Sequence, residues 1–163
     1  MRKLELKVPP VAVFMLVILL MYGLKVLTPS MNIRVPFVEF VVGALTLLSG
    51  YMGIAGVYEF RKVKTTVNPV KPDAASSVVR TGVFAFSRNP MYMALLLLII
   101  AVGLWWQHLS VVLCGVLFVS YMNRFQIKPE EHVLERLFGD EYLDYKTKFV
   151  AGFEYRTAID SFF

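Results

Sequence analysis

The chain has 163 residues, of which 57% are hydrophobic and 18% charged. Soluble domains carry nearer a quarter charged residues and fewer apolar ones, so the surplus apolar surface must face lipid. The net charge of +5 does not point to nucleic acid, because the basic residues flank apolar runs, where the positive-inside rule puts them.

The composition predicts one all-α membrane domain over residues 1–163, with little room for anything else. Cys114 is the sole cysteine and lies in an apolar run, so it pairs with no other cysteine in the chain and is expected to pack as a small apolar residue. Met1-Arg2-Lys3 and the apolar run beyond them look like the front of a signal peptide. No small-x-small cleavage site follows, and the run is read as an uncleaved span.

Four apolar runs predict about four transmembrane helices. The first, residues 9–27, suits a hydrocarbon core of roughly 30 Å. The second, 36–58, opens at Pro36, a residue suited to a helix's first turn, with Glu39 near the positive end of the dipole. Gly50, Gly53 and Gly56 lie three apart along it and share one face. That face predicts either close helix packing or the wall of a cofactor pocket. The third and fourth runs, 91–106 and 109–125, form a short hairpin. Trp105 and Trp106 mark an interfacial belt at its tip, and His108 is expected there as an interfacial polar residue.

Between the second and third runs lies a basic segment with Pro69 and Pro72, whose one expected feature is a short turn at residues 73–77 that Asp73 could cap. A loop this long in so small a protein points to function or disorder. Beyond the fourth run, Pro129-Glu130-Glu131 opens a helix with Val133, Leu134, Leu137 and Phe138 on one face. Gly139 stops it, and Asp140 begins another helix, with Tyr142, Tyr145 and Phe149 on one side. Both read as amphipathic surface helices lying on the bilayer or folding back over the bundle.

Basic residues number three before the first run, two in the first loop, six in the long loop, none at the hairpin tip and six in the tail. This asymmetry predicts a multi-pass protein with both termini cytosolic, in a bacterial inner membrane or the endoplasmic reticulum. The long loop and the tail then meet at one membrane face.

Most familiar chemistry is missing. His108 and His132 are the only histidines, so no zinc cluster forms and no metal is expected. No phosphate loop or nucleophile elbow occurs. No carboxylate or arginine sits mid-span, which argues against an ion pathway. What remains gathers at the base of the hairpin. Arg88 and Tyr92 are four apart at the entrance of the third run, with Asn89 and Pro90 between them, and Glu130-Glu131 follows the fourth. Each segment alone fits an interfacial anchor or an acidic first turn. Together they set a cationic, hydrogen-bonding patch against an acidic pair.

Three stretches resemble the isoprenylcysteine carboxyl methyltransferase and phospholipid methyltransferase group of membrane enzymes. They are Thr65-Thr66-Val67-Asn68-Pro69 through Thr81-Gly82-Val83-Phe84, then Ser87-Arg88-Asn89-Pro90-Met91-Tyr92. The third is Glu130-Glu131 with Leu134, Phe138-Gly139, Glu141-Tyr142 and Tyr145-Lys146. The resemblance implies S-adenosyl-L-methionine as methyl donor and a cofactor region over 61–92 and 124–150. It implies that Arg88, Asn89, Tyr92, Glu130 and Glu131 hold the donor. It also implies a lipidic or lipid-anchored acceptor entering from the membrane lipids.

Arginine suits the donor's carboxylate, and glutamate its ammonium or hydroxyls. Where prenylcysteine enzymes often have Arg-His-Pro, this chain has Arg-Asn-Pro, and Asn89 hydrogen-bonds without titrating. Gly53 and Gly56 stand where phospholipid N-methyltransferases show Gly-x-Gly. The favoured expectation is an enzyme resembling the prenylcysteine group. A phospholipid or amine N-methyltransferase and a non-catalytic membrane scaffold are the alternatives. No catalytic base is assigned, since methyl transfer from a sulfonium rests mainly on proximity and orientation.

Overall fold

The computed structural model describes residues 5–64 and 72–151, with side chains described to residue 147. The basic start Met1-Arg2-Lys3, the stretch from Thr65 to Lys71 and the side chain of Phe149 lie outside these. Six α-helices make the architecture of the described residues: α1 Pro10–Leu27, α2 Val38–Lys62, α3 Pro90–Trp105, α4 Ser110–Met122, α5 Lys128–Phe138 and α6 Asp140–Ala151. Among the described residues there is no β-strand, only an isolated bridge between Asn32 and His108.

Among the described residues three helical stretches are long and apolar enough to cross a membrane: Pro10–Leu27, Val38–Lys62 and Ser110–Phe138. The remaining expected span, α3, has 16 residues. At 1.5 Å per residue it rises about 24 Å, short of a hydrocarbon core of roughly 30 Å. Leu16, Leu19, Leu47 and Ile54 are each more than 60% exposed. An apolar belt of that extent belongs in lipid, and the protein is an integral membrane protein.

α2 packs along α3, while α1 packs on α3 and α4. The core lies on the second of these seams, where Met21, Ile99, Cys114, Phe118 and Met122 are buried. Gly103 lets the hairpin close: a Cβ there would stand 2.4 Å from the Cβ of Val111. Cys114 packs as the sequence suggested, fully buried among apolar neighbours.

Several local expectations are corrected. Pro36 lies ahead of α2 rather than in its first turn; the helix begins at Val38, and Phe37 takes the left-handed conformation before it. Asp73 caps no α-helix. It sits inside a 3-10 turn, Pro72–Ala74, and pairs with Arg136 at 2.6 Å. His108, expected as an interfacial polar residue, is fully buried within the protein. Its Nδ1 accepts the Ser110 N–H at 3.1 Å, which leaves Nε2 to donate to the Thr28 carbonyl at 2.9 Å. The hairpin tip is thereby fastened to the loop after α1.

The fourth run does not end before Pro129. A π turn, Asn123–Ile127, joins α4 to α5 without a break. π turns leave local backbone groups offset from the α ladder and free for other partners. Here the Phe125 carbonyl accepts the Leu6 N–H at 3.0 Å, and buried Gln126 donates to the Val8 carbonyl at 2.7 Å. The segment before α1 is so anchored at the α4–α5 junction.

Candidate functional site

The polar loop before α3 is shaped by a contact with α2. Thr81 Oγ1 donates to the buried Glu59 carboxylate. Gly82 follows at φ +60, in the left-handed region that favours glycine, and a Cβ there would lie 2.6 Å from Glu59 Oε1. The backbone then makes a 3-10 turn over Gly82–Ala85. Val83 and Phe84 bury beneath it, Phe84 edge-on to Phe60 of α2. The Phe84 carbonyl accepts the Tyr145 hydroxyl at 2.8 Å, so α6 folds back over the bundle.

These supports deliver Arg88 and Asn89 to the start of α3. Asn89 precedes the helix, a position where asparagine usually caps the first N–H groups. Its side chain makes no such bond, and its Nδ2 is buried without a hydrogen-bond partner. One turn on, the Tyr92 hydroxyl donates to Glu130 Oε2 at 2.8 Å. Arg88 Nη1 stands 3.0 Å from Glu131 Oε1, with both side chains about nine-tenths buried. Lys146 of α6 meets the other Glu131 oxygen at 2.9 Å and Glu135 at 2.7 Å. Burial works against the Lys146 charge, but the hydrogen bonds to Glu135 and Glu131 outweigh it and raise the pKa.

All five residues singled out in the sequence line one cavity of about 560 Å³. The chain elements that form it are α1, α2, α3, α5, α6 and the loop after residue 72. At its polar end stand Arg88, Asn89, Tyr92, Glu130, Glu131 and Tyr142, and Ser77 also lines the cavity. The Ser77 hydroxyl is buried without a partner, like Asn89 Nδ2. Burial raises the pKa of the Tyr142 and Tyr145 phenols, so both stay neutral. Most of the remaining wall is apolar and includes Gly50 and Gly53.

The glycine face divides between packing and cavity wall. Gly56 is a packing glycine: a Cβ there would lie 2.9 Å from Met91 Cγ. Gly50 and Gly53 face open space and form part of the cavity wall. Ser77 and Lys146 fall within the regions expected from sequence, though neither was singled out there, and Glu59 lies outside them. Tyr142 and Tyr145 were legible as one helix face but not as cavity wall.

Donors, acceptors and both charges converge at one end of a largely apolar cavity in a helical membrane protein. The family model for phospholipid methyltransferase matches residues 38–141, well over half of the chain and all five of these residues. The chain belongs to the phospholipid methyltransferase family. It is a membrane methyltransferase by that membership. A protein of Haemophilus influenzae described as uncharacterized is 45% identical over 58 residues, which cover 36% of this chain and 92% of that protein. No solved structure matches.

Proposed function

We propose that the polar end of the cavity binds S-adenosyl-L-methionine and that the apolar remainder receives a lipidic or lipid-anchored methyl acceptor. The observation that carries this reading is the pair of buried polar atoms with no partner, Asn89 Nδ2 and Ser77 Oγ, in residues lining the cavity that Arg88, Glu130 and Glu131 also line. Buried polar groups are nearly always satisfied, and such exceptions ask for a ligand. The residue types suit this one. Arg88 complements a carboxylate, the acidic pair an ammonium or ribose hydroxyls, and the two free donors an oxygen or ring nitrogen.

When bound, the donor supplies a methyl group on a positively charged sulfur; an acceptor lone pair forms the new bond to carbon as the carbon–sulfur pair returns to sulfur. The chain's own part is to bind and align. Arg88 and Glu131 fix the foot of α3 against α5, and Tyr92 holds Glu130. The apolar wall excludes water from the reacting centre. Alignment of this kind lowers barriers by several kcal/mol without a general base.

The same reading takes α3 as a fourth, short span and sets both termini in the cytosol, as the basic-residue asymmetry suggests. Two acceptor chemistries compete, a prenylcysteine-type carboxylate and a phospholipid amine. Asn89 in place of histidine and the family's own description favour the amine.

Incubating the purified protein with methyl-tritiated donor and total membrane lipid extract tests the proposal. Transfer to a lipid is expected. A methyl ester releases volatile label in alkali, whereas an N-methyl group does not, so one treatment separates the two chemistries. Absence of both transfer and donor binding in a folded sample would leave only the scaffold reading.

A further inference from the structure

The outer face of α4 is apolar until it meets charge. Val112 and Val116 are 63% and 58% exposed. Exposed Ser120 and Arg124 continue the same line at intervals of four residues. From Val112 to Arg124 the helix rises about 18 Å at 1.5 Å per residue. That is close to the depth of one leaflet with its headgroups, roughly 20 Å. Beside Arg124 the Tyr121 and Phe125 rings pack with centroids 4.9 Å apart, where an aromatic belt belongs.

Cations from two segments meet at this end of the stripe. Arg124 and Lys128 are exposed and four residues apart, close to one turn in an α or a π ladder. Lys7 comes from the segment before α1. On one side of it Leu6 donates to the Phe125 carbonyl, and on the other the Val8 carbonyl accepts from Gln126. The Lys7 backbone is thereby pinned along the π turn, with its side chain exposed. Among the described residues none of these three cations makes an ion pair. The carboxylates just beyond them are engaged elsewhere, Glu130 by Tyr92 and Glu131 by Arg88 and Lys146. Lysine and arginine side chains at the end of a span that lack a carboxylate partner attract anionic headgroups.

We propose that Lys7, Arg124 and Lys128 bind the headgroup of an anionic phospholipid whose acyl chain lies along Val116 and Val112. Charge complementarity selects the occupant. Three positive side chains suit a phosphodiester with no cationic group of its own, as in phosphatidylglycerol, over a zwitterionic headgroup. The apolar line on α4 gives the chain a seat that a free phosphate ion cannot use. No residue of α4 or of the π turn lines the cavity. The lipid is therefore a resident ligand rather than a methyl acceptor, and its site stands whatever the cavity receives. By bridging Lys7 to Arg124 and Lys128, it ties the segment before α1 to the rod that carries Glu130 and Glu131.

The test uses the full chain in nanodiscs of equal parts phosphatidylglycerol and phosphatidylcholine with matched acyl chains. Native mass spectrometry of the released protein counts the lipids retained. Wild type is expected to keep phosphatidylglycerol in preference to phosphatidylcholine. Lys7→Gln, Arg124→Gln and Lys128→Gln should each lose about fivefold of that preference, the effect of one cation near a charged surface. Arg34→Gln, at an exposed cation in the loop before α2, should keep it. Thermal melts in the mixed nanodiscs should be lower for the three variants and unchanged in pure phosphatidylcholine. Equal retention of the two lipids by wild type overturns the proposal. An equal loss in Arg34→Gln also overturns it, by reducing the effect to a diffuse surface field. Displacement of the lipid by inorganic phosphate would assign the cations to a soluble anion and overturn it as well. A dimer in the same spectra that retains no phosphatidylglycerol would overturn it in favour of a second copy on this face.

Discussion

Arg88 and Glu131 close the base of the hairpin, their charges 3.0 Å apart and both side chains mostly buried. Glu131 is also shared with Lys146, so one carboxylate ties α3, α5 and α6 together. Glu131→Gln keeps the shape and removes the charge. Hydrogen bonds to charged groups are worth about 1.5–3 kcal/mol, so affinity for S-adenosylhomocysteine should drop roughly tenfold to a hundredfold. Stability should fall too, since two cations lose their counter-charge. Calorimetry and thermal melts on one sample separate the effects. Affinity within twofold of wild type, with only the melt lowered, would reduce Glu131 to a structural tie.

Tyr92→Phe removes the hydroxyl that serves Glu130 and nothing else. A buried acceptor left without its donor costs about 1–3 kcal/mol. The melting temperature should drop, and donor affinity should weaken if Glu130 is held in position by that bond. An unchanged melt would mean that water reaches the carboxylate.

Gly82→Ala forces a side chain into the left-handed region and against Glu59. The conformational part alone is about 1–2 kcal/mol. The variant should therefore be clearly less stable, with Thr81 displaced from Glu59. Gly43→Ala makes the contrast. It gains helix propensity of up to about 1 kcal/mol and meets no neighbour. Equal melts for the two variants would discount the Glu59–Gly82 contact.

Topology has a direct assay. Cys114 is fully buried, so the native protein should resist maleimide and single cysteines can be read without removing it. In the four-span arrangement, Leu109→Cys and Ser76→Cys report from opposite sides of the membrane. Labelling of both from one side by an impermeant maleimide would rule that arrangement out.

Much of the fold was legible because lipid selects long apolar runs. The boundaries of α1, α3 and the hairpin follow from Pro10, Pro90 and the paired tryptophans. The five residues that line the cavity together were singled out because a cationic, hydrogen-bonding patch and an acidic pair flank one hairpin and because their motifs resemble those of a known family. Other features depend on contacts between distant segments. Nothing in Asn123–Ile127 announces a π turn, and Pro129 reads as a fresh start because its missing N–H is equally tolerated there. Glu59 ends an apolar run and looks like a solvated terminus until Thr81 and Gly82 fold onto it. Ser77 is an ordinary loop serine until α5 and α6 close over the loop. His108 looked interfacial because neither Thr28 nor Ser110 declares itself its partner.

The π turn has a consequence for the phase of the helix that follows. α4 and α5 are one uninterrupted rod, so the direction in which Glu130 and Glu131 project is set by counting residues from the membrane core, not by a hinge. Each residue advances an α-helix by about 100°. Removing one residue from α4 itself, with the π turn kept, would swing the acidic pair about that far around the axis. Arg88 and Tyr92, held on α3, would stay behind. The chain would still fill the bilayer with the same apolar surface, yet the two halves of its polar site would no longer face each other.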